Sequence, residues 1–473
     1  MKNLKYLLFS TLLILASCED LDVENTNNPS TEQVLATTDD YVSVLDGAAY
    51  QWWTSLHKYD PYMTLLVAAD FGSSSWGNFN MRHVGSVGAP YGLGDHSALE
   101  NTVTASYTSY LEVPYNGMYA VISSANDVII NAQSIDDATQ KNDLLSYAYM
   151  LRGMAYGYLG LLFDKALVYD ENTENLADKK FDDFVGYEAV LTQAQSDLNS
   201  AIGIFDSTSA SFSISGFNGL TVDADGAKSL CHAYAAKFLV HGARNSAETA
   251  AVDWNKVKEH ATAASSPNLS PIGDGGTIWW HAFYLMNNDG WIRLDQKVVN
   301  MANSNAPYPF PEAGSYTPSY PDDLRFGDTD EKFVFAGAAP FRADRGVYFN
   351  SYWQFNEYQA YRSTLDTPMP SFQSVENSLN LAEAHIRLGI PGAAAIINAT
   401  RVTDGGLDAA TDSDTNLLDK LMYERYIEAY EGPGNPFFDR RRSGDLGSKQ
   451  FTHLPVPKSN LDSWGAPGYT TGG

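Results

Sequence analysis

Apolar residues between Leu144 and Leu162 recur at three- and four-residue steps: Leu144, Ala148, Leu151, Ala155, Leu159 and Leu162. That spacing lays a single apolar stripe along a 3.6-residue period and predicts an amphipathic helix. Similar runs cover about 115–130, 187–203, 226–243 and 253–264, with Asp253 placed to cap the last of these at Trp254. An earlier helical run carries the adjacent Trp52 and Trp53, and predicts at least one of those rings in the core. Residues 375–388 and 392–402 read as a helix pair around Gly389-Ile390-Pro391-Gly392. There Gly ends one helix and Pro opens the next.

Repeated helix–turn–helix units build a solenoid-like core similar to tetratricopeptide arrays, although this chain does not follow that repeat's consensus closely. The predicted fold is therefore mainly α: a tetratricopeptide-like helix-pair scaffold over about 41–270 and 371–440, with long irregular loops, in a single domain. A chain of 473 residues suggests about three domains by length alone, but helical-repeat folds depart readily from that expectation. Two stretches break the helical period. Residues 70–96 are rich in Gly, Ser and Asn, and a loop-rich region of about 271–370 holds many Pro and Gly together with Trp279, Trp280, Trp291 and Trp353. Loops this long on a compact scaffold are functional or disordered, and their aromatic content argues against disorder.

The first residues change the picture of where the chain works. Lys2 and Lys5 precede an uncharged run from Tyr6 to Ser17, too short for a hydrocarbon core that needs about 20 residues. Leu15-Ala16-Ser17-Cys18 resembles the bacterial lipobox, so 1–17 is expected to be a lipoprotein signal peptide and Cys18 the lipidated N-terminus. Several acyl chains would hold the protein stably on an outer membrane. Residues 18–40 begin acidic and continue polar and turn-prone, and are expected to be a tether. The acidic patch reads either as a surface-export signal or as a solubilising spacer. Loss of Lys2 and Lys5 takes the net charge from −27 to −29, a surface that repels phosphate backbones, so no nucleic acid is expected as a partner. With Cys18 committed to lipid, Cys231 lacks a disulfide partner and is expected to be buried and inert.

Catalytic constellations are absent. The chain carries no Gly-x-Ser-x-Gly, His-Glu-x-x-His or Walker loop, and its nine histidines lack metal-ligand spacing. Asp412-x-Asp414-x-Asn416 opens like a calcium loop, but Leu417 stands where Gly is required. No metal or cofactor is expected. What remains is binding by ring faces and edge hydrogen bonds, the chemistry that suits sugars. Trp76, Asn78, Phe79 and Arg82 supply both in the first loop. Trp279, Trp280, Asn287, Trp291 and Arg293 supply them in the second. Trp353 joins this set of candidate contacts, although with Arg342, Arg345, Tyr348 and Tyr352 bracing of the cleft is the favoured reading. For any single Trp, core packing is the stronger alternative. Trp254 is read as structural.

A succession of motifs carries a family resemblance. Tyr115–Val128 (YNGMYAVISSANDV) and Leu151-Arg152-Gly153-Met154-Ala155-Tyr156 are followed by LAEA at 381–384, Gly389 and Ile397-Asn398-Ala399-Thr400-Arg401. Then come Tyr423-Glu424-Arg425, Glu428, Phe438-Asp439-Arg440-Arg441-Arg442 and His453-Leu454-Pro455-Val456-Pro457. In this order the chain resembles the SusD/RagB family of nutrient-binding lipoproteins, from the lipobox to residue 465. The resemblance implies a cell-surface receptor that captures an oligosaccharide without cleaving it and delivers it to a SusC-like TonB-dependent transporter. A peptide ligand, as in RagB-like receptors, a surface glycoside hydrolase and a purely structural lipoprotein remain as alternatives. Glu424, Glu428 and Glu431 share a helical face, and Arg440, Arg441 and Arg442 are expected to clamp against them rather than bind an anion. His453 is expected to line a wall rather than to catalyse.

Overall fold

A computed structural model describes residues 37–74, 81, 84–85, 96, 99–274, 278–287, 291–311, 315–337, 351–447 and 449–470. The chain divides into Met1–Tyr41 and Val42–Gly473, and the second unit holds the helices and strands that matter for the site.

Asp137 accepts from the amides of Thr139 and Gln140, and this cap starts the long helix whose stripe is legible in the sequence. Helices α1 (Thr38–His57), α2 (Tyr59–Ala68), α3 (Ser109–Ala132) and α4 (Ala138–Leu162) come first. They are followed by α5 (Tyr187–Phe205), α6 (Ala224–His241), α7 (Ser246–Ala251) and α8 (Trp254–Ala263). α3 packs on α4, α4 on α5 and α5 on α6 in helix-pair fashion, and α6 packs on α8. Leu144, Ala148, Leu151, Ala155, Leu159 and Leu162 are all buried, as the stripe requires. Asp253 Oδ1 accepts from the amide of Lys256, so the expected cap at Trp254 is formed.

The chain then passes through α9 (Phe283–Met286), α10 (Gln296–Ala302) and α11 (Gln359–Thr364) before returning to helix pairs. These are α12 (Ser374–Leu388), α13 (Ala393–Arg401), α14 (Leu417–Glu428), α15 (Asn435–Ser443) and α16 (Lys458–Ser463). Gly389 ends α12 with φ 66°, a left-handed position that favours glycine. Gly392, not Pro391, is the N-cap of α13, which Asp412 completes by accepting from the amides of Gly392 and Ala394. Leu379, Ala382, Ile397 and Leu421 form the core between α12, α13 and α14.

Short strands supply the rest. β1 (Gly72–Ser73) pairs antiparallel with β6 (Arg293–Leu294). β2 (Lys165–Ala166) pairs with β3 (Val185–Gly186), and β4 (Ser213–Ile214) with β5 (Val222–Asp223). β7 (Phe326–Gly327), β8 (Phe333–Phe335) and β9 (Trp353–Phe355) form a three-stranded mixed sheet. The stretch after residue 270 is therefore more regular than its Pro and Gly content predicts. Its strands are too short for alternation to show in sequence. Among the described residues no helix is long and apolar enough to cross a membrane.

Candidate functional site

The two aromatic loops are tied together by backbone. Ser73 faces Arg293 and Gly72 faces Leu294 across the β1–β6 pair, and the amide of Asp295 donates to the carbonyl of Phe71 at 2.9 Å. Ser351 Oγ donates to the carbonyl of Leu294 at 2.8 Å, which brings the start of β9 to the same place. Three segments more than fifty residues apart in sequence thus converge where the 70–96 loop departs.

Of the expected contacts in the second loop, two keep accessible ring surface. Trp280 and Trp291 are half-buried. Trp280 lies 6.3 Å from Tyr284, which sits in the short α9, and the Arg362 guanidinium sits 5.7 Å from the Tyr284 ring centre. Arg362 also donates to the carbonyl of Asn287 at 3.4 Å, which holds the guanidinium at the edge of this group. Tyr284 and Arg362 are missed by the sequence reading, because their approach to Trp280 is a tertiary contact and not a helical spacing.

The other residues of that loop are packed inside, and their expected role as ligand contacts is corrected to bracing. Trp279 is 9% exposed and sits 5.4 Å from Tyr50 and 5.5 Å from Trp53. Trp353 is fully buried, edge-on to Tyr320, Phe326 and Phe335 at 5.1, 5.2 and 5.7 Å. Asn287 is buried, with Nδ2 donating to the carbonyl of Phe283 at 3.0 Å. Arg293 is buried within β6. Arg293 and Trp353 lie on paired strands that turn them inward, Asn287 closes α9 by bonding back to Phe283, and Trp279 packs onto the α1 rings Tyr50 and Trp53. Trp76, Asn78, Phe79 and Arg82 lie outside the described residues, as do Arg342, Arg345, Tyr348 and Cys18 with the signal and tether segments up to residue 36.

Both members of Trp52-Trp53 are buried, and Trp53 stacks on His57 at 3.8 Å with 8° between planes. Trp254 is buried with Nε1 donating to the carbonyl of Thr249. Cys231 is fully buried, and burial pushes its thiol well above the ordinary range. Burial, with Arg244 and Arg441 nearby, pushes His453 down to about 3.

The C-terminal charges form the expected clamp with different partners. Arg442 makes a bidentate pair with Glu383 at 2.7 and 2.6 Å and donates from Nε to Asp439 at 2.9 Å. Arg441 donates to the carbonyls of Leu161, His241 and Thr452, and Arg440 to the carbonyls of Ala69 and Asp445. Glu424 and Glu428 instead hold Arg325, each accepting from Nη1 at 2.7 Å. Lys332 sits 3.2, 2.9 and 3.3 Å from Glu357, Glu428 and Glu431. Burial opposes the Lys332 charge, but these carboxylates outweigh it and hold the ammonium above its ordinary range. Guanidiniums aimed at carbonyls and buried carboxylates have no free face for an anion.

No protein-family model and no curated protein matches the chain by sequence. Solved structures do match by shape. A SusD superfamily protein from Parabacteroides distasonis aligns with TM-score 0.61 at 14% identity, over 90% of this chain and 98% of its own. One from Bacteroides thetaiotaomicron aligns with TM-score 0.59 at 14% identity, over 90% and 96%. A laminarin-binding SusD-like protein aligns with TM-score 0.53 at 15% identity, over 90% and 97%. The chain has the fold of the SusD superfamily, across almost its whole length.

Proposed function

We propose that the protein is a cell-surface glycan receptor: a lipoprotein anchored in the outer membrane through Cys18 that captures an oligosaccharide and passes it to a SusC-like TonB-dependent transporter. The supporting observation is the shared fold, in which one similar protein is named for laminarin binding, combined with two aromatic loops joined at the β1–β6 pair. Trp280, Trp291 and Tyr284 offer ring faces, and Arg362 offers donors to hydroxyls at their edge. Trp76, Asn78, Phe79 and Arg82 complete this contact set in the reading. Sugar that touches both receptor and transporter would favour the closed pair, because only contacts that differ between two states shift their balance.

Isothermal titration of the unlipidated chain against laminarin, xyloglucan and α-glucan oligosaccharides tests the reading. Binding to at least one is expected, and Trp280→Ala should weaken it about tenfold, the worth of a stacked ring. Silence across the glycans with saturable binding of a peptide panel would replace the sugar by a peptide. Release of labelled sugar from polysaccharide would replace the receptor by a hydrolase.

A further inference from the structure

A cavity of about 250 Å³ lies among α3, the 167–184 segment and α16, and among the described residues none of its lining comes from either aromatic loop. Tyr119, Tyr169, Phe184 and Trp464 give it ring surfaces, and Asn116 and Asn460 give it amides. Its walls are set in advance. Tyr119 Oη donates to the carbonyl of Leu167 at 3.0 Å and accepts from the Leu167 amide at 2.7 Å. The Tyr119 and Tyr169 rings are 5° from parallel, and Trp464 stands edge-on to Phe184 at 5.4 Å.

The amides carry a second, independent sign of a ligand. Asn460 Nδ2 donates to Asn116 Oδ1 at 2.8 Å, while Asn460 Oδ1 is buried with no hydrogen-bond partner among the described residues. A buried oxygen without a donor is costly, and the hydroxyl of a ligand in the cavity would supply one.

Size and charge narrow the occupant. The cavity far exceeds the roughly 30 Å³ share of one water and falls below the ~300 Å³ at which drug-sized sites begin. No charged side chain lines it among the described residues, so a phosphate, a carboxylate or a zwitterionic amino acid would enter unmatched. A neutral ring with an apolar face and hydroxyl edges matches what is there. We infer that this pocket binds a single neutral pyranose ring, as a sugar subsite separate from the aromatic loops.

The inference stands whether or not the loops bind glycan, and the test keeps the two apart. Saturation-transfer NMR is run with the methyl glycosides of glucose, galactose, mannose and N-acetylglucosamine, on the unlipidated chain and on Trp280→Ala. Transfer to at least one glycoside is expected in both proteins. Asn460→Ala and Asn116→Ala should each weaken it roughly three- to tenfold, the worth of a hydrogen bond. Asn116 is exposed, so its variant reports even where Asn460→Ala fails to fold. No transfer to any of the four glycosides overturns the inference, as does transfer that both Asn variants leave unchanged. Transfer to a blocked proline dipeptide in place of sugar overturns it too.

Discussion

Arg442 and Glu383 show what single side chains contribute here. Both are essentially sealed from solvent, and their bidentate geometry with Asp439 alongside satisfies charges that would otherwise be stranded. Burial works against the Glu383 and Asp439 carboxylates, but the Arg442 and Arg425 guanidiniums outweigh it and hold both below the usual carboxylate range. Arg442→Ala strips Glu383 of its bidentate partner, leaving it only Arg387 at 3.2 Å, and should cost about 3–5 kcal/mol, read as a lower urea midpoint. His57 makes stability fall with pH in the same direction, but through burial of a neutral ring rather than through ion pairs. It stacks on Trp53 with Nδ1 bonded to the Trp53 carbonyl, and burial, with the Lys237 charge adding, pushes it down to about 3. The folded ring stays neutral while the unfolded one takes a proton below about 6.5. Stability is therefore lost as pH falls from 6.5 towards 3, at about 1.4 kcal/mol per pH unit for this group. Urea titrations between pH 6 and 4 should show the His57→Asn protein flatter by that slope.

At the scale of elements, close helix approach is set by α4. A Cβ at Gly157 would lie 2.0 Å from the Phe238 ring of α6, and one at Gly153 would lie 2.8 Å from Leu198 of α5. Gly157→Ala gains about 1 kcal/mol of helix propensity but forces an aromatic ring out of a packed core, a change that costs typically 1–3 kcal/mol or more. Net destabilisation is expected. Gly203, exposed on α5, has nothing within 4 Å of its Cβ position, so Gly203→Ala should stabilise by up to about 1 kcal/mol. Thermal unfolding of the two variants should shift in opposite directions.

At the scale of the whole molecule, the proposed function would join a helix-pair scaffold to a lipid anchor and a cargo site. Its net charge of −27 disfavours polyanionic cargo, which suits neutral glycans. Anchoring is testable apart from binding. Cys18→Ser should abolish incorporation of labelled palmitate and release the protein from membranes, while glycan titration of the soluble chain stays unchanged. Label retained in the Cys18→Ser protein would place the lipid elsewhere.

Periodicity alone located α3 to α6, α8, α12 and α13 to within a few residues at most ends, because a buried helical face imposes a repeat that no neighbour has to explain. Asp253 and Gly389 were readable for the same local reason: a cap and a left-handed turn are properties of a few consecutive residues. The motif order carried the kinship in fold. Burial of the loop tryptophans was not readable. Trp353 and Trp280 sit in similar company in the chain, yet one is enclosed by Tyr320, Phe326 and Phe335 and the other is only half-buried. That difference comes from strand pairing across some twenty to thirty residues, and likewise the partners of Glu424 and Arg442, Arg325 beside β7 and Glu383 on α12, come from segments distant in sequence. Composition supplied the rings and charges; tertiary packing decided which of them meet solvent and which meet each other.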